Sequence, residues 1–279
     1  MANERIHRVR VLKTAVTRLF LSGNYCIKVI CAAMLAFVSP YILEMFGQAA
    51  KMISPQIVEA FHQGTGYNIG VLKVSSLDIL NEPYCDRIIT GVLSGSLSHC
   101  IIATVAAGFI KREFLGGYIV LAIMHGQSRT ALYAKYTLVS IIAIILPVIA
   151  YPMGVYISLL IRGAAAVENA KNIIGILFLQ IYMLAALTVC FSSLAIMFDG
   201  RGATAVCLCL VISLPYVPNY LSIFTSGKVD IEKYMLLSRL VNSGNASLSG
   251  TGEDILIATV TAAVCYCLGW IVFANKNFN

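Results

Sequence analysis

Side chains able to do covalent or acid–base chemistry are sparse in this chain of 279 residues, and their spacing argues against most enzymatic centres. The densest group is Ser94, Ser96, Ser98 and His99, set among Gly91 and Gly95, which is the composition of a serine protease site inside a membrane. A serine and a histidine five apart on one helix do not face each other, and no second helix offers a GxSG segment. Gly91 and Gly95 read better as a small-residue face for close helix packing. None of His7, His62, His99 and His125 has a glutamate at HExxH-type spacing, which excludes the zinc peptidases. A GxxxxGK[ST] phosphate loop is absent: Gly227-Lys228 is followed by Val229, with no glycine five residues earlier. Cys207/Cys209 and Cys265/Cys267 are two apart on helices and point to nearly opposite faces, so neither pair is expected to hold a metal. No catalytic residue, metal or cofactor is therefore assigned to this chain.

What remains are polar residues isolated in apolar stretches: Glu44, His99, Gln180 and Asn219. Burying such groups in lipid is costly, which makes each a candidate for lining a translocation path. Glu44 lies near the outer end of its stretch and can instead reach water. His99 and Gln180 can equally be hydrogen bonds between helices. Lys28, at an inner edge, is expected to snorkel to phosphate headgroups.

The elements that carry these residues follow from composition. Apolar residues make up 59% and charged residues 12%, with a mean hydropathy of +0.83, far from the range of a soluble domain. A hydrocarbon core about 30 Å thick needs roughly 20 apolar residues per helical crossing. Six stretches qualify, near 28–47, 88–110, 136–161, 173–198, 204–224 and 255–274, and they form a single transmembrane domain over 1–279. The apolar runs are continuous rather than alternating, so the expected class is all-helical and not a barrel. With the first end in the cytosol, the inner segments carry 12 Lys and Arg, while the longer outer segments carry 8. The positive-inside rule thus places both ends in the cytosol and makes the net charge of +7 a sign of topology, not of nucleic-acid binding. The head is too polar and too long for a cleavable signal peptide. Cys85 is the one cysteine in an outer loop, so no extracellular disulfide is expected.

Residues 1–27 read as an amphipathic helix: Ile6, Val9, Leu12, Val16, Leu19 and Phe20 recur at spacings of three and four among Arg5, Arg8, Arg10, Lys13 and Arg18. Such a helix lies along the inner leaflet with its basic face on anionic headgroups. Segment 111–135 is the most informative. Lys111, Arg112 and Glu113 end the second span, Gly116 and Gly117 break the helix, and Tyr118 to Met124 runs apolar before His125, Gly126, Gln127, Ser128 and Arg129. Seven apolar residues cannot cross a membrane, so their surface needs cover from the leaflet or from another protein. Ser128 is positioned to cap the helix that continues through Lys135. Pro40, Pro147, Pro152, Pro215 and Pro218 interrupt three spans, and the carbonyls they free must find partners in protein or a cavity. The run Leu214 to Tyr220 is expected to end the fifth helix early and start a partly re-entrant segment.

The stretch GFIKREFLGGYIVLAIMHGQSRTALYAKY, Gly108 to Tyr136, resembles the permease subunits of type-2 ABC exporters. Glu113, Gly117, Ser128, Arg129 and Lys135 occupy the places of that family's acidic residue, small step, Ser-Arg pair and lysine. Where the family often has proline before Ser-Arg, this chain has Gly126-Gln127. The basic head is similar to the family's elbow helix, and the six-span layout and short tail match across the chain.

The resemblance implies that 111–135 contains a coupling helix that docks on a separate ATP-binding subunit, through Lys111, Arg112, Glu113, Phe114, Gly117, Tyr118, Leu121, Ser128 and Arg129. ATP and Mg would sit on that ATPase, and two copies of this permease would form the pore across a bacterial plasma membrane. The family exports peptides, drugs, lipids and polysaccharides; apolar spans and modest outer loops favour an amphipathic peptide or hydrophobic drug here. Two other classes stay open: an ion-coupled transporter, which needs buried carboxylates along a path, and an immunity or sensing subunit that binds peptide without moving it.

Overall fold

The computed structural model describes residues 14–20, 23–52, 67–68, 73–74, 85–164, 166–198, 202–214, 217, 232–243 and 251–276. The fold is helical. Among the described residues, five helices are long and apolar enough to cross a membrane, as expected for a multi-pass membrane protein. In chain order the helices are α1 (Gly23–Met52), α2 (Asp86–Val92), α3 (Ser96–Leu115), α4 (Tyr118–Met124), α5 (Arg129–Ile161), α6 (Ala170–Met197), α7 (Ala203–Ser213), α8 (Leu236–Asn242) and α9 (Thr251–Asn275). Residues 14–20 are also helical, and Glu232–Tyr234 forms a short 3-10 turn. Among the described residues, one antiparallel ladder, Tyr67–Asn68 with Lys73–Val74, interrupts the helical pattern.

The ends of these helices meet in two groups. At one, called here the basic end, Arg129 opens α5 and bonds the carbonyls of Ala274 and Lys276 at the close of α9, while Lys276 reaches Ile196 and Met197 at the close of α6. At the far end, Asp86 accepts from the backbone amides of Glu168 and Asn169, just before α6, and Arg162 pairs with Glu44. Thus α1 and α5 run away from the basic end, and α3, α6 and α9 run toward it.

One span departs from the sequence reading, and another is described only in part. The second span, Asp86–Leu115, is not one helix: it breaks at Leu93–Gly95, so Gly91 lies in α2 and Gly95 in the break, and the two are not on one continuous helix. The expected fifth span, 204–224, begins as α7, whose 11 residues reach only about 17 Å. α7 ends at Ser213, as the proline-rich run suggested; Pro215, Tyr216 and 218–224 lie outside the described residues.

The helices α1 and α5 continue through their prolines, and at Pro40 and Pro147 a hydroxyl takes over the freed carbonyl. Pro40 cannot donate to Ala36, and the Ser39 hydroxyl donates there instead, at 2.7 Å. Pro147 likewise frees the Ala143 carbonyl, which accepts from the Tyr25 phenol of α1 at 2.8 Å. α1 and α5 pack closely beyond this point. A Cβ on Gly154 would lie 2.9 Å from the Ala33 carbonyl and 3.0 Å from the Ala36 methyl, so only glycine allows that approach. Gly154→Ala should destabilise the protein by about 1 kcal/mol through overpacking, read as a lower thermal midpoint in detergent.

Candidate functional site

At the basic end, α3 stops because Gly117 takes a left-handed backbone, φ 68°, which turns the chain into the short helix α4. Gly126, at φ 79°, ends that excursion, and the Ser128 hydroxyl accepts from the Ala131 amide to start α5, the cap that the sequence suggested. α4 is held by one face. Ile119 is fully buried, whereas Tyr118, Leu121 and Met124, three apart on the helix, point outward; Leu121 is 50% exposed and Met124 77%. They form an apolar ridge on a helix far too short to cross a membrane.

The helical stretch 14–20 is fastened to this corner. Arg18 makes a salt bridge with Glu113 at 3.1 Å, and its guanidinium lies 4.1 Å from the centre of the Tyr118 ring. Lys135 and Tyr136 flank the pair from α5. The Glu113 side chain is only 1% exposed.

The candidate docking residues therefore separate. Glu113 faces inward and is no surface for a partner; its carboxylate ties residues 14–20 to the end of α3. Arg129 is spent on the α9 carbonyls, where a cation meets the negative end of a helix dipole. Ser128 caps α5, Gly117 makes the turn, and Phe114 is half-buried beneath the Lys276 ammonium. Tyr118 and Leu121 are outward, joined by Met124, which the sequence reading passed over although its spacing of three from Leu121 marked it. Lys111 is exposed and Arg112 partly so.

Arg18, Lys28, Lys111 and Arg112 converge on a cleft of about 870 Å³ between residues 14–20, α1 and α3. Lys28 extends across α3 and donates to the Thr104 carbonyl at 2.7 Å. Gly108 makes room for it, since a Cβ there would lie 2.8 Å from the Lys28 ammonium.

The polar residues of the spans lie elsewhere and do different work. Gln180 is buried at the break in the second span, where its amide nitrogen lies 2.8 Å from the Thr90 carbonyl, 3.1 Å from Ser94 Oγ and 3.0 Å from Ser243 Oγ. It joins α6, the α2–α3 break and the end of α8, which is the interhelical reading of this residue. His99 serves the same break: its Nε2 sits 3.0 Å from the Leu93 carbonyl, and because a carbonyl only accepts, Nε2 carries the hydrogen. The Ser98 hydroxyl donates to the Leu93 and Gly95 carbonyls, and Ser94 pairs with Ser243. Glu44 is exposed at the far end in its pair with Arg162, whose guanidinium also lies over Tyr41. Asn219 lies outside the described residues.

Cys85, read from sequence as an outer-loop thiol, is buried at the start of α2, with its amide donating to the Ala166 carbonyl at 2.9 Å. Burial, and secondarily the neighbouring Asp86, pushes its thiol above the ordinary range, which suppresses thiolate chemistry. Compared with protein-family models and with curated proteins, the chain matches none.

Proposed function

We propose that this chain is a permease subunit of an ATP-driven exporter of the type-2 ABC kind, docking on a separate ATPase through the ridge of α4. The observation that carries the reading is the ridge itself: Tyr118, Leu121 and Met124 form an apolar surface on a seven-residue helix between two left-handed glycines, mechanically fastened to residues 14–20 through Arg18, Glu113 and Tyr118. A helix of that kind suits a ball in a partner's groove, and its fastening to the elbow-like stretch 14–20 suits transmission of the partner's movement to the spans.

Six crossings fit the arrangement. α6 closes at the basic end and α9 begins at the far end, an arrangement that leaves room for a sixth crossing beginning with α7. The charge asymmetry then makes the basic end cytosolic, with both termini there. A second copy completes the translocation path in a bacterial plasma membrane, ATP and Mg are held by the ATPase, and the cargo is an amphipathic peptide or hydrophobic drug. The position of Glu44, at the far end and paired with Arg162, gives an ion-coupled mechanism no buried acid at that residue.

The full-length tagged protein, purified from its own cells in mild detergent, should bring down a subunit carrying a phosphate loop. Leu121→Glu with Met124→Glu should reduce that recovery at least tenfold, on the order of a single interface hot spot, while the variant still elutes as a folded species. A folded wild type that brings down no ATPase contradicts the proposal.

A further inference from the structure

The cleft at the basic end has an unbalanced charge. Arg18, Lys28, Lys111 and Arg112 line it against Glu113 alone, and Glu113 is already engaged by Arg18. Among the described residues, no carboxylate pairs with Lys28, Lys111 or Arg112. The Lys28 ammonium is held instead by a neutral acceptor, the Thr104 carbonyl. Thr104 lies seven residues along α3 from Lys111, so this ammonium sits about 10 Å nearer the bilayer centre than the rim of the cleft. A cation at such depth calls for an anion that can follow it there. The mouth is flanked by two lining residues that are apolar and exposed, Ile27 and Leu115, each 59% exposed. A ligand that suits both features has an anionic phosphate beside hydrocarbon.

We propose that this cleft holds the phosphodiester headgroup of an anionic phospholipid, with Lys28 at its floor, Lys111 and Arg112 at its rim, and the acyl chains passing over Ile27 and Leu115. Basic pockets between helices at the inner face of a membrane act in this way on phosphate headgroups. The proposal needs only that the helices span a bilayer, and it stands or falls apart from the exporter reading. Gly108 is part of the site, because any side chain there displaces the Lys28 ammonium rather than backbone.

The test is native mass spectrometry of the full-length protein, released from nanodiscs of phosphatidylcholine doped with phosphatidylglycerol. The wild type should retain phosphatidylglycerol in preference to phosphatidylcholine. Lys28→Gln, Lys111→Gln and Arg112→Gln should each weaken retention about fivefold, and the triple variant on the order of a hundredfold. Gly108→Ala, which keeps every charge, should also weaken it, whereas Lys171→Gln, at the opposite end of the bundle, should not. Lack of headgroup preference in the wild type, or retention unchanged in both the Arg112→Gln and Gly108→Ala proteins, would overturn the proposal. Displacement of the lipid by millimolar inorganic phosphate would overturn it too, since the anion site would then belong to free phosphate.

Discussion

Glu113→Lys is expected to lower the thermal midpoint in detergent by roughly 10 °C, corresponding to about 3–5 kcal/mol for an uncompensated charge in a buried pair. The substitution sets a second cation in the enclosed site of the carboxylate, against Arg18 and beside Lys135. It should free residues 14–20 from the end of α3, detectable as faster proteolysis near Arg18. The asymmetry of the pair gives a finer expectation. Arg18 is 31% exposed and Glu113 1%, so losing Arg18 strands a buried carboxylate, whereas losing the carboxylate leaves Arg18 a route to water. The order of damage should be Glu113→Lys, then Arg18→Gln, then Glu113→Gln. Exchanging the two residues, Arg18→Glu with Glu113→Arg, should recover part of the loss, since neighbouring sites couple. Glu113→Lys melting with the wild type would show that the pair holds nothing.

Gln180→Leu is expected to cost about 2 kcal/mol, toward the upper end for a hydrogen bond within a membrane, because one amide serves a carbonyl freed by a broken helix and two hydroxyls. Leucine fills much of the same space but leaves the Thr90 carbonyl without this donor. The loss should appear as a thermal midpoint lowered by roughly 5 °C and as faster amide exchange across Thr90–Gly95. A residue that only lined a translocation path would change cargo handling while leaving the midpoint alone, so the midpoint separates the two roles.

The long helices were legible because a continuous apolar run has few alternatives in a membrane, and the Ser128 cap because its partner is three residues away. The break in the second span was not. Its glycines and serines also spell a packing face, and what holds the break open, Gln180, comes from 86 residues away. The partner of Pro147 was hidden for the same reason: Tyr25 fills the carbonyl it frees across 118 residues. In segment 111–135 the sequence reading grouped unlike residues. Glu113 and Arg129 stand in a charged, polar run and read as surface. Their partners, Arg18 and the α9 carbonyls, are 95 and about 145 residues distant, and these turn both side chains inward. The outward ridge was written locally, in the spacing of Tyr118, Leu121 and Met124.

The central claim is that this ridge seats in an ATPase, and site-specific photo-crosslinking tests it most directly. With p-benzoylphenylalanine at Leu121 in the otherwise intact chain, irradiation of membranes should yield one dominant adduct, to a protein carrying a phosphate loop. The same probe at Ile174, exposed near the opposite end of the bundle, should give none. Adducts from Leu121 to lipid alone, or to no nucleotide-binding protein, would contradict the claim.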